Sequence, residues 1–158
     1  EWGRLEKAQL ERLEALLQGP ALLQGPALLQ GPALLQGPAL LQGPALLAMH
    51  HPPFAVGIPG MDEIACRGEV AALGRLLAAR RGVEGLLCGH VHRHVATLFH
   101  GIFAQVAPAT AHQIALDAEP LAYTLEPGGF LLHDWEPGRP LLSHYLPLQA
   151  APVYAYEE

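Results

Sequence analysis

Two stretches of the chain carry apolar residues at the spacing of an amphipathic helix. In residues 4–17, leucines recur at helical spacing with charged residues between them. Residues 69–81 show the same spacing and are followed by Gly82, a typical helix stop. The inward positions of this second stretch are Val70, Leu73, Leu76 and Leu77. The pattern predicts two helices, one near the start of the chain and one in its middle.

Short apolar runs, typical of buried strands, flank the second predicted helix. "ALLAMHHPPF" (45–54) begins as such a strand and continues into a His-Pro loop, and "VEGLLCG" (83–89) is a second one. Strand, helix and strand with short connections form a βαβ unit, so we expect these two strands to be parallel with a right-handed crossover. Residues 101–110, 122–136 and 140–148 predict antiparallel strands with Pro-Gly turns. The chain is therefore assigned to the α/β class.

A perfect repeat separates the first helix from the first strand. "ALLQGP" occurs five times without change from Ala15 to Pro44. The Gly-Pro pair in each unit disfavours both helix and strand pairing, so a solenoid is not expected. We interpret 15–47 as a low-complexity insertion; the alternative is a Leu-rich arm that binds a partner. The predicted organisation lists residues 1–14 as a helix of the main domain, 15–47 as the insertion, 48–148 as the main domain and 149–158 as a tail.

Composition narrows the class of protein further. The chain has 158 residues and a formal charge of −6, which argues against a nucleic-acid-binding surface. Its two cysteines, Cys66 and Cys88, form no CxxC motif, so we expect a reducing compartment and a cytoplasmic location. No apolar run reaches the roughly 20 residues of a membrane helix. The nine histidines are the chemically informative residues.

Histidines follow both strands of the predicted βαβ unit. "MHHPPF" comes after the first strand and "GHVHRH" after the second, and the carboxyl ends of parallel strands share one edge of a sheet. Gly89 is expected to allow a sharp turn there. His90 and His92 could then aim their nitrogens the same way in extended backbone, with His50 as a third ligand. The candidate metal ligands are therefore His50, His90 and His92, and neutral imidazoles suit Zn, Fe, Mn or Co.

Other residues near these motifs have less specific assignments. His51 is a candidate for a hydrogen bond to a ligand or for substrate contact, and His94 for substrate contact or a plain surface position. Asp62 could contact substrate or cap the following turn, and Cys88 is expected to be a small core residue. No catalytic residue is assigned. The histidines expected to be structural are His100, His133 and His144.

These motifs resemble those of a known family. "AMHHPPF" together with "CGHVHRH" is similar to the last two metal-binding motifs of calcineurin-like metallophosphoesterases, especially the bacterial cyclic-nucleotide and glycerophosphodiester phosphodiesterases. "GIPGMDEI", "PATAHQIALD" (108–117), "GFLLHDWEPG" (129–138) and the N-terminal helix also resemble that branch, so the similarity covers 1–14 and about 45–148. The resemblance implies the C-terminal half of a four-layer α/β/β/α sandwich and hydrolysis of a small phosphodiester.

The resemblance also implies a metal centre that this sequence cannot complete. In the family two metals are bridged by a hydroxide and an aspartate; His50 and His90 would bind one metal and His92 the other. The Asp-x-His, Gly-Asp and Gly-Asn-His motifs of the family do not occur, and the chain contains no Asn. We therefore expect at most one bound metal.

The resulting interpretation is a phosphodiester hydrolase by descent that is catalytically incomplete, and a 3′,5′-cyclic nucleotide is one candidate substrate. We expect a truncated gene product with poor solubility, and its oligomeric state stays open. The alternatives are a non-catalytic module that binds a single metal and an interaction protein that displays the repeat.

Overall fold

The computed structural model describes residues 3–18, 44–80 and 82–156, so most of the ALLQGP repeat lies outside the described residues. The helices are α1 (Lys7–Gln18), α2 (Pro59–Asp62) and α3 (Val70–Ala79). The strands are β1 (Arg4–Leu5), β2 (Ala45–Met49), β3 (Arg67–Gly68), β4 (Val83–Cys88), β5 (Val95–Phe99), β6 (Ile102–Val106), β7 (Gln113–Ile114), β8 (Tyr123–Thr124), β9 (Gly129–Asp134) and β10 (Leu142–Pro147). Helices alternate with mixed strands, which is an α/β arrangement.

A four-stranded sheet in the order β2-β4-β6-β5 forms the centre of the described structure. Strands β2 and β4 are parallel, with Leu47 opposite Leu86, so the predicted parallel pair is confirmed. Strand β6 was expected to be antiparallel, but it runs parallel to β4 and is antiparallel only to β5. Strand β5 was not predicted, because its sequence VATLF forms neither a continuous apolar run nor a regular apolar–polar alternation.

One face of the central sheet packs on α3 and α1. Leu73 and Leu77 of α3 are buried in the core cluster with Leu86 of β4, Val106 of β6 and Leu17 of α1. The spacing of leucines in α3 places Leu73 and Leu77 one turn apart on the same side of the helix, as the sequence pattern predicted. The core therefore lies directly behind the strands whose carboxyl ends carry the histidine loops.

The other face of the sheet is covered by the antiparallel hairpin of β9 and β10. Ser143 lies opposite His133 in the register of this hairpin. A Cβ on Gly85 of β4 would crowd Leu141, so the hairpin approaches the sheet closely at that glycine. The indole N–H of Trp135 also donates a hydrogen bond to the carboxylate of Glu84 on β4. The strands predicted over 122–136 and 140–148 thus include this hairpin.

The N-terminal helix begins later than its leucine pattern predicted. Residues Arg4–Leu5 form β1, which pairs with β3 in parallel, and α1 starts at Lys7. The side-chain oxygen of Gln9 accepts a hydrogen bond from the backbone N–H of Glu6 at 2.8 Å, which stabilises this start. Residues 149–156 contain no helix or strand. Among the described helices, none combines the length and apolar character needed to cross a membrane.

Candidate metal centre

The loops that follow β2 and β4 meet at one edge of the central sheet. The backbone N–H of Gly89 donates a hydrogen bond to the carbonyl of His50 at 3.0 Å, which joins the two loops directly. A Cβ on Gly89 would lie 3.4 Å from Nδ1 of His50, which is ordinary van der Waals contact, so Gly89 lies directly beside that ring. The parallel pairing of β2 and β4 therefore brings the two histidine motifs together.

Three histidines form one compact set at this edge. Each of His50, His51 and His90 offers a ring nitrogen, and these three nitrogens lie within 4.8 Å of one another. The ring centroids of His51 and His90 are 4.0 Å apart, and those of His50 and His90 are 5.3 Å apart. A Cβ on Gly3 would overlap the ring of His51, so the chain segment before β1 packs against this ring. We call His50, His51 and His90 the three-histidine set.

The environment of His50 and His90 favours their neutral form. The pKa of His90 is lowered to about 4, first by burial and then by the neighbouring charges of His51 and His50. Burial also lowers the pKa of His50, with His51 as the second cause. Because a neutral imidazole is the form that binds a metal, the lowered pKa values of His50 and His90 favour binding of a cation at neutral pH.

One nitrogen of the set needs an explanation. Nε2 of His90 is buried and has no hydrogen-bond partner among the described residues. A buried polar atom without a partner costs free energy, so such atoms commonly mark a position for an ion or a water molecule. A cation held by the three-histidine set would satisfy this nitrogen. The donor chemistry and this orphaned atom both fit one divalent metal.

The backbone around the second motif differs from the sequence-based expectation. Left-handed φ angles occur at His90 (69°) and His92 (54°), whereas Gly89 has none. Each left-handed non-glycine residue costs roughly 1–2 kcal/mol, and such strain is concentrated at functional sites. The side chains of His90 and His92 would point the same way only if the backbone between them were extended. Their left-handed φ angles remove that alignment.

His92 makes a different contact from the one expected of it. Its Nδ1 lies 3.1 Å from Nε2 of His112, and the three-histidine set does not include it. Burial lowers the pKa of His92, followed by the charges of His112 and His50, so His92 still lies near the set. The sequence analysis assigned no role to His112. The available signal was its position in "PATAHQIALD", one of the segments on which the resemblance rests.

The remaining candidates fall into separate environments. His94 is exposed, and its Nε2 lies 3.4 Å from the side-chain oxygen of Gln105. Asp62 accepts hydrogen bonds from the backbone N–H groups of Val56 (2.7 Å) and Gly57 (3.1 Å), so its carboxylate holds the loop that precedes α2 and not the turn that follows it. Cys88 is buried, which confirms it as a core residue.

An open cleft adjoins the three-histidine set. It has a volume of about 490 Å³, lies between α1 and β2, and reaches His50 and His51. Its walls include Leu13, Leu16 and Leu47. The set is therefore approached on one side by a largely apolar space.

Comparison with curated proteins gives a consistent picture. The chain is 37% identical over 101 residues to a probable glycerophosphodiester phosphodiesterase of Arcobacter nitrofigilis, covering 62% of this chain and 37% of that protein. It is 31% identical over 105 residues to a glycerophosphodiester phosphodiesterase of Enterobacter lignolyticus, covering 61% of this chain and 37% of the relative. A 3′,5′-cyclic adenosine monophosphate phosphodiesterase of Vibrio vulnificus is 29% identical over 83 residues, with 52% and 30% covered.

These similarities over about half the chain support a relationship to the C-terminal half of metallophosphoesterases. It spans just over a third of the length of the two glycerophosphodiester phosphodiesterases that it matches. No protein-family model matches it. The recognition of this metallophosphoesterase half from "AMHHPPF" and "CGHVHRH" is confirmed by these relatives.

Proposed function

We propose that this chain is the imidazole-bearing part of a metal-dependent phosphodiester hydrolase and holds one divalent cation through His50, His51 and His90. The observation that carries the proposal is the three-histidine set, with its buried, unpartnered His90 nitrogen, at the edge where both family motifs meet. The phosphodiesterase names of the relatives support the reaction class. The substrate class proposed is a small phosphodiester, either a glycerophosphodiester or a cyclic nucleotide.

The proposal includes the wider architecture expected from the family. A central sheet with α1 and α3 on one face and the β9–β10 hairpin on the other supports the C-terminal half of a four-layer sandwich. Residues 48–148 are kept as the main domain and 149–158 as the tail. The boundaries 1–14 and 15–47 need adjusting, because α1 extends to Gln18 and β2 begins at Ala45, so the proposed insertion lies between these two elements. The hexapeptide repeat itself lies mainly outside the described residues.

The ligand chemistry favours one cation over two. The three-histidine set offers three ring nitrogens, and it includes no carboxylate among the described residues. Nothing anionic in the set would offset the charge of a second divalent ion, whereas three imidazoles suit one Zn, Fe, Mn or Co ion. When bound, such a cation polarises a phosphoryl oxygen and lowers the pKa of coordinated water. His92 and His112, as a hydrogen-bonded pair, would lie beside the bound diester.

A metal-binding experiment distinguishes the two possible ligand sets. We expect about one equivalent of Zn or Co per chain by elemental analysis, with a cobalt visible absorption band, and His90→Ala should abolish both. His51→Ala should weaken binding more than His92→Ala, because only His51 belongs to the compact set. His144→Ala, at an exposed position of β10, is the matched control. A larger loss with His92→Ala would restore the ligand set inferred from sequence.

A second experiment tests the hydrolase assignment. We expect the chain alone to hydrolyse bis(p-nitrophenyl) phosphate little above background, because the described set lacks a carboxylate. Addition of the N-terminal half of a glycerophosphodiester phosphodiesterase in trans should restore metal-dependent turnover, and His90→Ala should remove it. Robust turnover by the chain alone would contradict the incomplete site.

One observation favours a second candidate function. A three-histidine set without a carboxylate also suits a non-catalytic module that binds a single metal. Tight binding of one metal with no turnover, even after the complementary half is supplied, would support that candidate over the hydrolase.

A further inference from the structure

A line of hydrogen-bonded side chains connects the second histidine loop to the β9–β10 hairpin. Gln105 on β6 is only 2% exposed, and its side-chain N–H donates to the hydroxyl of Ser143 at 2.6 Å. The oxygen of the same amide lies 3.4 Å from Nε2 of His94. The Ser143 hydroxyl is in turn 2.8 Å from Nδ1 of His133, its partner in the hairpin register. We call His94, Gln105, Ser143 and His133 the Gln105 relay.

The donors and acceptors of the relay determine its direction. An amide nitrogen only donates and an amide oxygen only accepts, so Ser143 receives a hydrogen from Gln105. This leaves the hydroxyl hydrogen of Ser143 available for Nδ1 of His133, which lies within hydrogen-bond distance, and the relay assigns it there. With the hydrogen assigned in this direction, the ring of His133 carries its proton on Nε2. At the other end the amide oxygen accepts from His94, whose proton must also be on Nε2. If the side-chain amide of Gln105 were rotated by 180°, its nitrogen and oxygen would exchange places and the donor and acceptor of each hydrogen bond in the relay would be exchanged. The orientation of this amide therefore couples the proton positions of His94 and His133, which do not contact each other.

Packing from the hairpin holds the His94 ring as well. The ring of Tyr145 stacks on that of His94 with centroids 6.5 Å apart and planes 19° apart. Tyr145 lies on the same face of β10 as Ser143, because they are two residues apart on a strand. A Cβ on Gly129 would overlap the Tyr145 ring, so this glycine lets the ring lie flat against β9. The hairpin thus contacts His94 both directly and through Gln105.

We propose that Gln105 is a positioning residue, through which the β9–β10 hairpin sets the ring orientation and the proton position of His94. The exposed ring then presents Nδ1 as a hydrogen-bond acceptor that cannot donate. Such an acceptor matches a hydroxyl group on the alcohol half of a diester and not the phosphate oxygens, which are themselves acceptors. This last step rests on the proposed function, because it requires a phosphodiester at the site; the relay itself does not.

Replacement of Gln105 by glutamate tests the relay, because the change is made at residue 105 and its effect is measured at His133. An ionised Gln105→Glu side chain can only accept, so Ser143 must turn its hydrogen toward it and accept from His133 instead. We expect the His133 proton to move from Nε2 to Nδ1, read from long-range proton–nitrogen NMR correlations of the full chain. The carboxyl carbon shift identifies the pH at which residue 105 is ionised. The Ser143→Ala/Gln105→Glu double variant should lose this response. An unchanged His133 tautomer with an ionised carboxylate overturns the relay.

Two further measurements distinguish the relay from a general effect of the substitution on folding. Gln113 is the other buried glutamine among the described residues, and its side chain donates to the carbonyl of Ala109 at 2.8 Å. Gln113→Glu therefore controls for a buried carboxylate and should leave the His133 tautomer unchanged. In the unaltered chain, the Gln105 side-chain amide protons should show nuclear Overhauser contacts to Ser143. Contacts to the His94 ring in their place would overturn the proposed direction, whether or not any variant folds.

Ligand discrimination tests the consequence for His94. The zinc-loaded chain should bind glycerol 3-phosphate about threefold to tenfold more tightly than ethyl phosphate, which lacks the hydroxyl groups. Gln105→Met should lose this preference while its affinity for ethyl phosphate stays the same. Equal affinities for the two phosphates, weak or strong, overturn the assigned ligand. The NMR result is independent of phosphate binding, so failure of the relay and failure of the proposed function are distinguishable.

Discussion

The reactivity of the Cys88 thiol tests how often strand β4, which carries the second histidine loop, opens to solvent in the folded chain. Cys88 is the last residue of β4, two positions before His90, and its side chain is 6% exposed. Burial raises its pKa from the ordinary 9.0 to about 12. At pH 8 the thiolate fraction falls from about one tenth to about one ten-thousandth, so alkylation in the native state should be about 1,000-fold slower than that of an ordinary thiol.

Alkylation by iodoacetamide at pH 8, followed by mass spectrometry of peptides, measures this protection. Cys66 is half-buried and serves as the internal control, because burial raises the pKa of its thiol less strongly. In urea above the unfolding midpoint, both thiols should react at similar rates. If the alkylation rate of Cys88 is within tenfold of that of Cys66 while the circular dichroism spectrum stays native, then β4 opens readily in the folded chain. The strand would then not hold the histidine loop in a fixed position.

Three other predictions follow from the packing and the loops. Leu77→Ala should lower the free energy of unfolding by about 3 kcal/mol, because Leu77 is buried in the core, whereas half-buried Leu76→Ala should cost about 1 kcal/mol; urea titration measures both. Asp62→Ala removes the acceptor of two backbone N–H groups and should cost about 2 kcal/mol, with Asp62→Asn losing about half of that, and an Asp62→Asn variant as stable as the unaltered chain would contradict the role of the second oxygen. Burial lowers the pKa of His133, so the folded chain keeps it neutral while the unfolded chain protonates it near 6.5. Its contribution to stability is therefore present above that pH and is lost as the pH falls below it; the unfolding free energy of His133→Asn should fall less between pH 7 and pH 5.

Local signals predicted the regular elements near the site. The leucines of α3 and the apolar runs of β2 and β4 specify a βαβ unit, because each element buries one continuous apolar surface. Strand β5 was not predicted because VATLF carries neither a continuous apolar run nor a regular alternation. The antiparallel prediction for β6 holds for its pairing with β5, whereas its parallel pairing with β4 was not predicted.

The site shows the same division between local and distant information. The two motifs predicted that His50 and His90 would come together, and the hydrogen bond between their loops shows the physical basis. The motifs did not indicate that His51 joins them while His92 lies against His112, because this depends on left-handed angles at His90 and His92. Spacing arguments assume regular backbone, and these two residues depart from it.

By itself, the sequence determined that two histidine loops follow two parallel strands, because apolar periodicity and short connections leave little freedom in that unit. It also carried the family relationship, since that rests on the motifs themselves. Only the tertiary structure decided which imidazoles share one position and which buried amide faces His94. Those contacts join residues far apart in the chain, and their geometry depends on packing between the sheet, the loops and the hairpin that no local pattern encodes.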